Sequence, residues 1–241
     1  MLGFIVGGYL TWRWAPKAGI PCAKVETLLV WIIVGVVVGA RVYFLVQNDF
    51  ASYLKEPWRM FAVWEGGLAF FGGLFGGILA AFLFMIREKL PFLRVADLFA
   101  PSIPIGAAIG RISCGLAGMD YGTPTSLPWG VVYTNPNSYA PTYDVARHPV
   151  QFYELLGDML IAGCLIKLRE KLPDGCLFLL YLTLFSALRF FLFFIRGDVP
   201  IVGWGLKNGQ WTALAILFIA LPFLIALSFQ HKEAWRLKNQ S

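Results

Sequence analysis

Apolar residues run through this chain in long blocks separated by short polar connectors, and the blocks are long enough to set the fold class. A helix crosses a bilayer with roughly 17 to 25 mostly apolar residues. Six segments approach that length, at about 27–47, 66–86, 97–116, 149–166, 176–196 and 208–230. A seventh, about 2–14, opens the chain as MLGFIVGGYL and is short by that measure. Trp12, Arg13 and Trp14 follow it, not a small-residue cleavage site, so it reads as a first span beginning at Met1 or upstream rather than as a signal peptide. The predicted fold class is all-α, a single integral membrane domain over 1–241 with about seven transmembrane helices. The segment 117–148 is longer than a connector and carries Pro124, Pro128, Pro136 and Pro141 with Tyr121, Trp129, Tyr133, Tyr139 and Tyr143. That mixture predicts a small folded cap on the outer face.

Composition strengthens this picture. The chain is 58% hydrophobic, 16% aromatic and only 14% charged, outside the balance of soluble domains. Cys22, Cys114, Cys164 and Cys176 share no CxxC spacing, so they read as free thiols, and neither a metal nor a cofactor is expected. The formal charge of +6 is not the footprint of a nucleic-acid binder, because the basic residues fall in particular loops. Arg13, Lys17 and Lys24 separate spans one and two, and Arg87, Lys89 and Arg94 separate three and four. Lys167, Arg169 and Lys171 separate five and six, and Lys232, Arg236 and Lys238 close the chain. Basic loops stay inside, which predicts an outer N-terminus and a cytoplasmic C-terminus.

Eight of the 20 Lys and Arg residues remain. Lys55, Arg59, Arg147 and Lys207 fall in predicted outer segments. Arg41, Arg111, Arg189 and Arg196 lie within spans or at their outer ends, where a charge costs about 2.5 to 3.5 kcal/mol at the helix centre. Arg189 and Arg196 are two helical turns apart on one side of span six, and all four arginines belong to the outer half. On span five, His148, Gln151, Glu154 and Asp158 follow spacings of three, three and four and form one polar stripe.

Two readings follow. Glu154 and Asp158 facing Arg111 and Arg189 form simple charge pairs, or the arginines, outnumbering those carboxylates, leave positive charge for a lipid phosphate, which guanidinium forks match. His148 and Asp120 are then the outer-face candidates for a base. The glycines of GGLAFFGGLFGG, 66–77, either pack helices closely or let backbone approach a headgroup. An anion or lipid transporter is the competing class, although the two halves show no convincing internal repeat.

The chain resembles the prolipoprotein diacylglyceryl transferases through an ordered series over about 35–215: GARVYF, WEGGLAFFGGL, LRVADLFAPSIPIGAAIGRI, YGTPTSLPWGVVY, RHPVQFYE, LRFFLFFIR and NGQ. The resemblance implies a multi-pass enzyme of the bacterial inner membrane, without cofactor. It would move the diacylglyceryl group of phosphatidylglycerol onto the lipobox cysteine of a prolipoprotein signal peptide and release glycerol phosphate. Arg111 in GRIS matches the signature arginine, Arg189 the arginine of the later helix and Arg196 the basic residue after it. With the base candidates already read from the residues, the expected catalytic set is His148, Asp120, Arg111 and Arg189. The substrate-binding set is Arg111, Arg189, Arg196, Arg41, Gly66, Gly67, Gly110, Gly122, Gln151 and Glu154. The string GRISCGLAGMDYG departs from the family pattern at Cys114, where asparagine is usual, and at Met119, where glutamate is usual. Phe71, Phe185 and Phe193 stand where the family has histidine, tyrosine and glutamate. These changes remove acid and base groups and keep the phosphate-binding ones, so a lipid-binding relative without turnover stands beside the active transferase.

Overall fold

The computed structural model describes residues 1–48, 58, 62, 64, 66–141 and 145–238, with backbone alone over 230–238. Lys55, Arg59, Tyr143 and the basic side chains of the tail lie outside that description. Among the described residues the helices are α1 (Leu2–Trp14), α2 (Cys22–Gln47), α3 (Phe70–Arg87), α4 (Phe92–Phe99), α5 (Ser102–Ala117), α6 (Val150–Leu168), α7 (Cys176–Ile195) and α8 (Asn208–Lys238). A short antiparallel pair, β1 (Ile201–Gly203) and β2 (Leu206–Lys207), joins α7 to α8.

Among the described residues, five stretches are long and apolar enough to cross a membrane: Cys22–Gln47, Phe70–Arg87, Phe92–Ala117, Cys176–Ile195 and Asn208–Phe229. α6 has 19 residues, about 28 Å of helix, but it carries Glu154, Asp158 and Lys167. α1 has 13. The architecture is that of a polytopic all-α membrane protein.

Two predicted spans differ locally. Span four breaks between α4 and α5 because Pro101 and Pro104 both lack the N–H that a continuous helix would use. Span three begins at Phe70, not at 66, because Gly66 and Gly67 take φ of 86° and 74° and stay outside the helix.

The chain forms two compact units, Trp12–Val95 and Met1–Thr11 with Ala96–Ser241. In the first, Gly35 and Gly39 of α2 meet Gly72 and Gly76 of α3 so closely that a Cβ on any of them would strike the facing backbone. Without a hydrophobic driving force in lipid, such backbone approach is what holds two spans together. The glycine run therefore serves packing through these residues, while Phe71 on the same helix is 59% exposed.

In the second unit, α5, α6, α7 and α8 pack in sequence, around a cluster of Ala100, Ile161, Leu165, Leu177 and Tyr181. The α4 carboxylate of Asp97 accepts hydrogen bonds from the backbone N–H groups of Gly175, at 2.6 Å, and Phe178, at 2.7 Å, and so caps the start of α7. Thr11 donates to Ser102 at 2.9 Å in a buried contact.

Residues 118–149 contain no helix among the described positions and fold back on the ends of α5, α6 and α7. Val131 and Arg147 exchange backbone hydrogen bonds, Thr125 donates to Ala146, and Tyr139 donates to Ala117 at the end of α5. Gly122 donates to His148, Thr123 to Ile195 and Gly197 to Tyr121. The segment thus ties the end of α7 to the start of α6.

Candidate functional site

Three guanidiniums meet where α5 and α7 end and α6 begins. Arg111 lies in the last two turns of α5, Glu154 in the second turn of α6, and Arg196 is the residue on which α7 ends. Asp120 sits on the turn after α5, with φ of 60°. Asp tolerates that left-handed conformation better than most residues.

Asp120 bridges two arginines. Its Oδ2 accepts from Arg111 Nη1, and its Oδ1 accepts from Arg196 Nη2 at 2.7 Å. Glu154 approaches the same pair from the buried side, with Oε2 2.8 Å from Arg111 Nε and Oε1 3.9 Å from Arg196 Nη1. Neither Glu154 oxygen is aligned with an N–H, so these are ion pairs rather than hydrogen bonds. Arg196 also grips Asp198 with two parallel bonds, from Nε at 2.7 Å and from Nη2 at 2.6 Å, and its carbonyl accepts from Lys207 Nζ. Burial pulls the Lys207 ammonium below its ordinary pKa, with Arg196 adding to the effect and Asp198 opposing it.

Arg189 differs from its neighbours. Among the described residues its guanidinium makes no hydrogen bond and no ion pair. It lies 5.5 Å from the Phe185 ring centre and 4.9 Å from that of Phe193. Those rings are one turn before and one turn after it, on the same helix face. Phe193 has the Arg196 guanidinium 5.0 Å away as well, so one ring serves two cations. Gly209 is what admits that ring, since a Cβ there would collide with it. Arg189 feels the charges of Glu154 and Asp120 at longer range.

The expected excess of positive charge is not what the structure shows. Asp120 and Asp198 join Glu154 and Asp158, so four carboxylates stand against three guanidiniums and Lys207. The described cluster is formally balanced. Asp158, which feels Arg111, Arg189 and Glu154, is 1% exposed and leaves Oδ1 without a hydrogen bond.

The other expected site residues separate into three groups. Gln151 is 1% exposed and its amide nitrogen donates to the Met119 carbonyl and, at 3.1 Å, to Tyr133 Oη. Its amide is thus spent bracing the turn that presents Asp120. Burial pushes the Tyr133 phenol above its ordinary pKa, which keeps it a neutral partner.

His148 is held by backbone bonds to Gly122 and Thr123. Its Nδ1 lies 3.3 Å from Tyr153 Oη, which accepts from Trp129 Nε1 at 2.7 Å. Among the described residues no hydrogen bond or ion pair joins its ring to the three arginines. A Cβ on Gly122 would strike His148, so glycine there permits the close approach of the His148 backbone, and Gly122 also bridges to Arg196 in a strand-like contact. Gly110 has open space beside it.

Arg41 belongs to the other unit, where it is 7% exposed and its Nη1 donates to the carbonyls of Gly66, at 2.7 Å, and Gly67, at 3.1 Å. It clamps the left-handed Gly66–Gly67 turn to α2.

A family model for prolipoprotein diacylglyceryl transferase matches residues 1–226. The chain belongs to that family. One curated relative, the phosphatidylglycerol–prolipoprotein diacylglyceryl transferase of Nitratidesulfovibrio vulgaris (strain DSM 19637 / Miyazaki F), is 36% identical over 233 residues, covering 93% of this chain and 86% of its own length. The relative of the same name from Geobacter sulfurreducens is 32% identical over 235 residues, with 95% and 88% covered. That of Methylococcus capsulatus is 32% identical over 239 residues, with 93% and 88% covered.

In this member of the transferase family, the positions that depart from the expected motif acquire a physical meaning. Phe185 and Phe193 are the two rings that enclose Arg189, and Cys114 is a free, half-buried thiol three residues past Arg111. Met119 contributes its carbonyl to the Gln151 brace, while its side chain is exposed. Two partners escaped the sequence reading. Asp198 follows Arg196 by two residues in IRGDVP, a charge pair in an apolar run. Tyr153 follows His148 by five in RHPVQFYE, and its spacing places it on the first turn of α6.

Proposed function

We propose that this transferase moves the diacylglyceryl group of phosphatidylglycerol to the lipobox cysteine thiol of a prolipoprotein signal peptide, at the outer side of the bacterial inner membrane. Arg189 carries this reading. A cation inside a membrane helix that makes no hydrogen bond among the described residues retains an open fork for an anionic oxygen. The thiolate sulfur attacks the glycerol carbon that bears the phosphate. The S–C bond forms, the C–O bond breaks, and its electron pair leaves on glycerol phosphate. Arg189, with Arg111 beside it, stabilises the charge that grows on the leaving phosphate.

His148 takes the thiol proton. Arg196 and Glu154 hold the cluster in place, and Gln151 and Gly122 fix the backbone that carries Asp120 and His148. Gly110 leaves the approach to Arg111 open, and Arg41 orders Gly66 and Gly67 for a lipid headgroup.

Purified protein in phosphatidylglycerol vesicles, given a lipobox peptide, should yield a thioether-lipidated peptide. Arg189→Ala should lower turnover by about 100-fold or more, the size of losing one oxyanion donor. Wild-type turnover in that variant would overturn the assignment. The rings at Phe71, Phe185 and Phe193 favour a second reading, phospholipid binding without transfer. Intact phosphatidylglycerol carried through purification, with no lipidated peptide formed, would select it.

A further inference from the structure

We infer that Asp120 is an internal stand-in for the lipid phosphate, a carboxylate that occupies the arginines until an anionic headgroup displaces it. The inference rests on the reading of Arg189 and Arg111 as phosphate ligands. It begins from the bridge itself: the two Asp120 oxygens go to two different guanidiniums, Arg111 and Arg196, as two oxygens of a phosphate would.

Of the two carboxylates between these arginines, only Asp120 is free to leave. Glu154 projects from the body of α6 with a side chain 3% exposed, whereas that of Asp120 is 26% exposed on a turn. The turn is held independently, by Gln151 on the Met119 carbonyl and by Gly118, whose N–H bonds the carbonyl of Gly115. A rotation of the Asp120 side chain toward water therefore needs no change of backbone.

Charge gives the reason for an exchange. The cluster is formally balanced with Asp120 in place, and Arg196 already spends its fork on Asp198. A phosphodiester added to the intact cluster would bring an uncompensated negative charge into a poorly solvated site. Replacing the Asp120 carboxylate by the phosphate keeps the balance and opens Arg111. After transfer the product carries one more negative charge, because the bond to carbon has become a phosphate oxyanion. The returning carboxylate competes with it and speeds release.

The test uses the full-length protein in detergent micelles, with Asp120→Asn and Asp120→Gly as charge-free variants. Asn and Gly both accept the left-handed backbone. One arm measures phosphatidylglycerol affinity, the other inhibition by free glycerol phosphate, which separates the lipid headgroup from the soluble phosphate. Both should tighten by about fivefold or more once the internal competitor is gone, while turnover falls as release slows. Unchanged or weaker affinity in both variants would overturn the inference. Arg189→Ala is the control for the reading beneath it. If that variant binds phosphatidylglycerol like wild type, the phosphate site itself is misplaced. If it loses binding while the Asp120 variants fail to tighten, only the exchange is wrong.

Discussion

His148 shows how single atoms limit what a residue can do here. For its Nε2 to accept the thiol proton, Nδ1 must keep its own and donate it. Tyr153 Oη, 3.3 Å away, has two lone pairs, and the indole N–H of Trp129, a donor only, takes one of them. The remaining lone pair suits His148 Nδ1–H. Tyr153→Phe removes that acceptor with little change in volume. We expect kcat for peptide lipidation to fall about tenfold, with KM for phosphatidylglycerol unchanged. Trp129→Phe should give a smaller fall, because it leaves Tyr153 in place. A fall in affinity and rate together would mean that Tyr153 merely packs the cap.

The same accounting separates the arginines, which the sequence treats alike. Arg111, Arg189 and Arg196 are all visible as costly charges in spans, and Glu154 and Asp158 as carboxylates facing them, but the pairings with Asp120 and Asp198 are not. Asp198 and Asp120 are loop residues, and nothing in hydropathy says that they fold back onto α5 and α7. That is why the expected positive excess disappears in the structure, and why, of these three, Arg189 is the one that makes no hydrogen bond or ion pair among the described residues.

Among the elements, spans are the part that hydropathy reads well. The predicted segments 27–47, 149–166 and 176–196 lie within a few residues of α2, α6 and α7. Apolar length fixes them. The broken span is different, because α4 and α5 share one apolar run of 26 residues. The break at Pro101 frees Asp97 to cap α7 through two backbone N–H groups, a contact between helices that no local pattern records. Asp97→Ala should destabilise the protein by about 1–2 kcal/mol, read as a Tm in detergent lowered by about 2–8 °C. An unchanged Tm would show that water or a neighbouring group caps α7 equally well. Because the capped start of α7 lies about 20 Å of helix from Arg189, transfer rates well below the Tm should stay near wild type.

At the scale of the whole molecule, the distribution of Lys and Arg gives a direction that no distance within the protein can give. The clusters around 13–24, 87–94, 167–171 and 232–238 all fall on one side if the N-terminus is outside. The arginine site and the fold of 118–149 then fall on the other side, where a secreted peptide meets the outer leaflet. We propose this orientation because an inverted insertion would carry every basic cluster across the membrane. A green fluorescent protein fused after Lys238 should fluoresce in bacterial cells, and alkaline phosphatase fused after Tyr133 should be active. The opposite pair of results would place Arg189 at the cytoplasmic leaflet. It would then face substrates that have not yet been secreted, and the transfer proposed above would lose its acceptor.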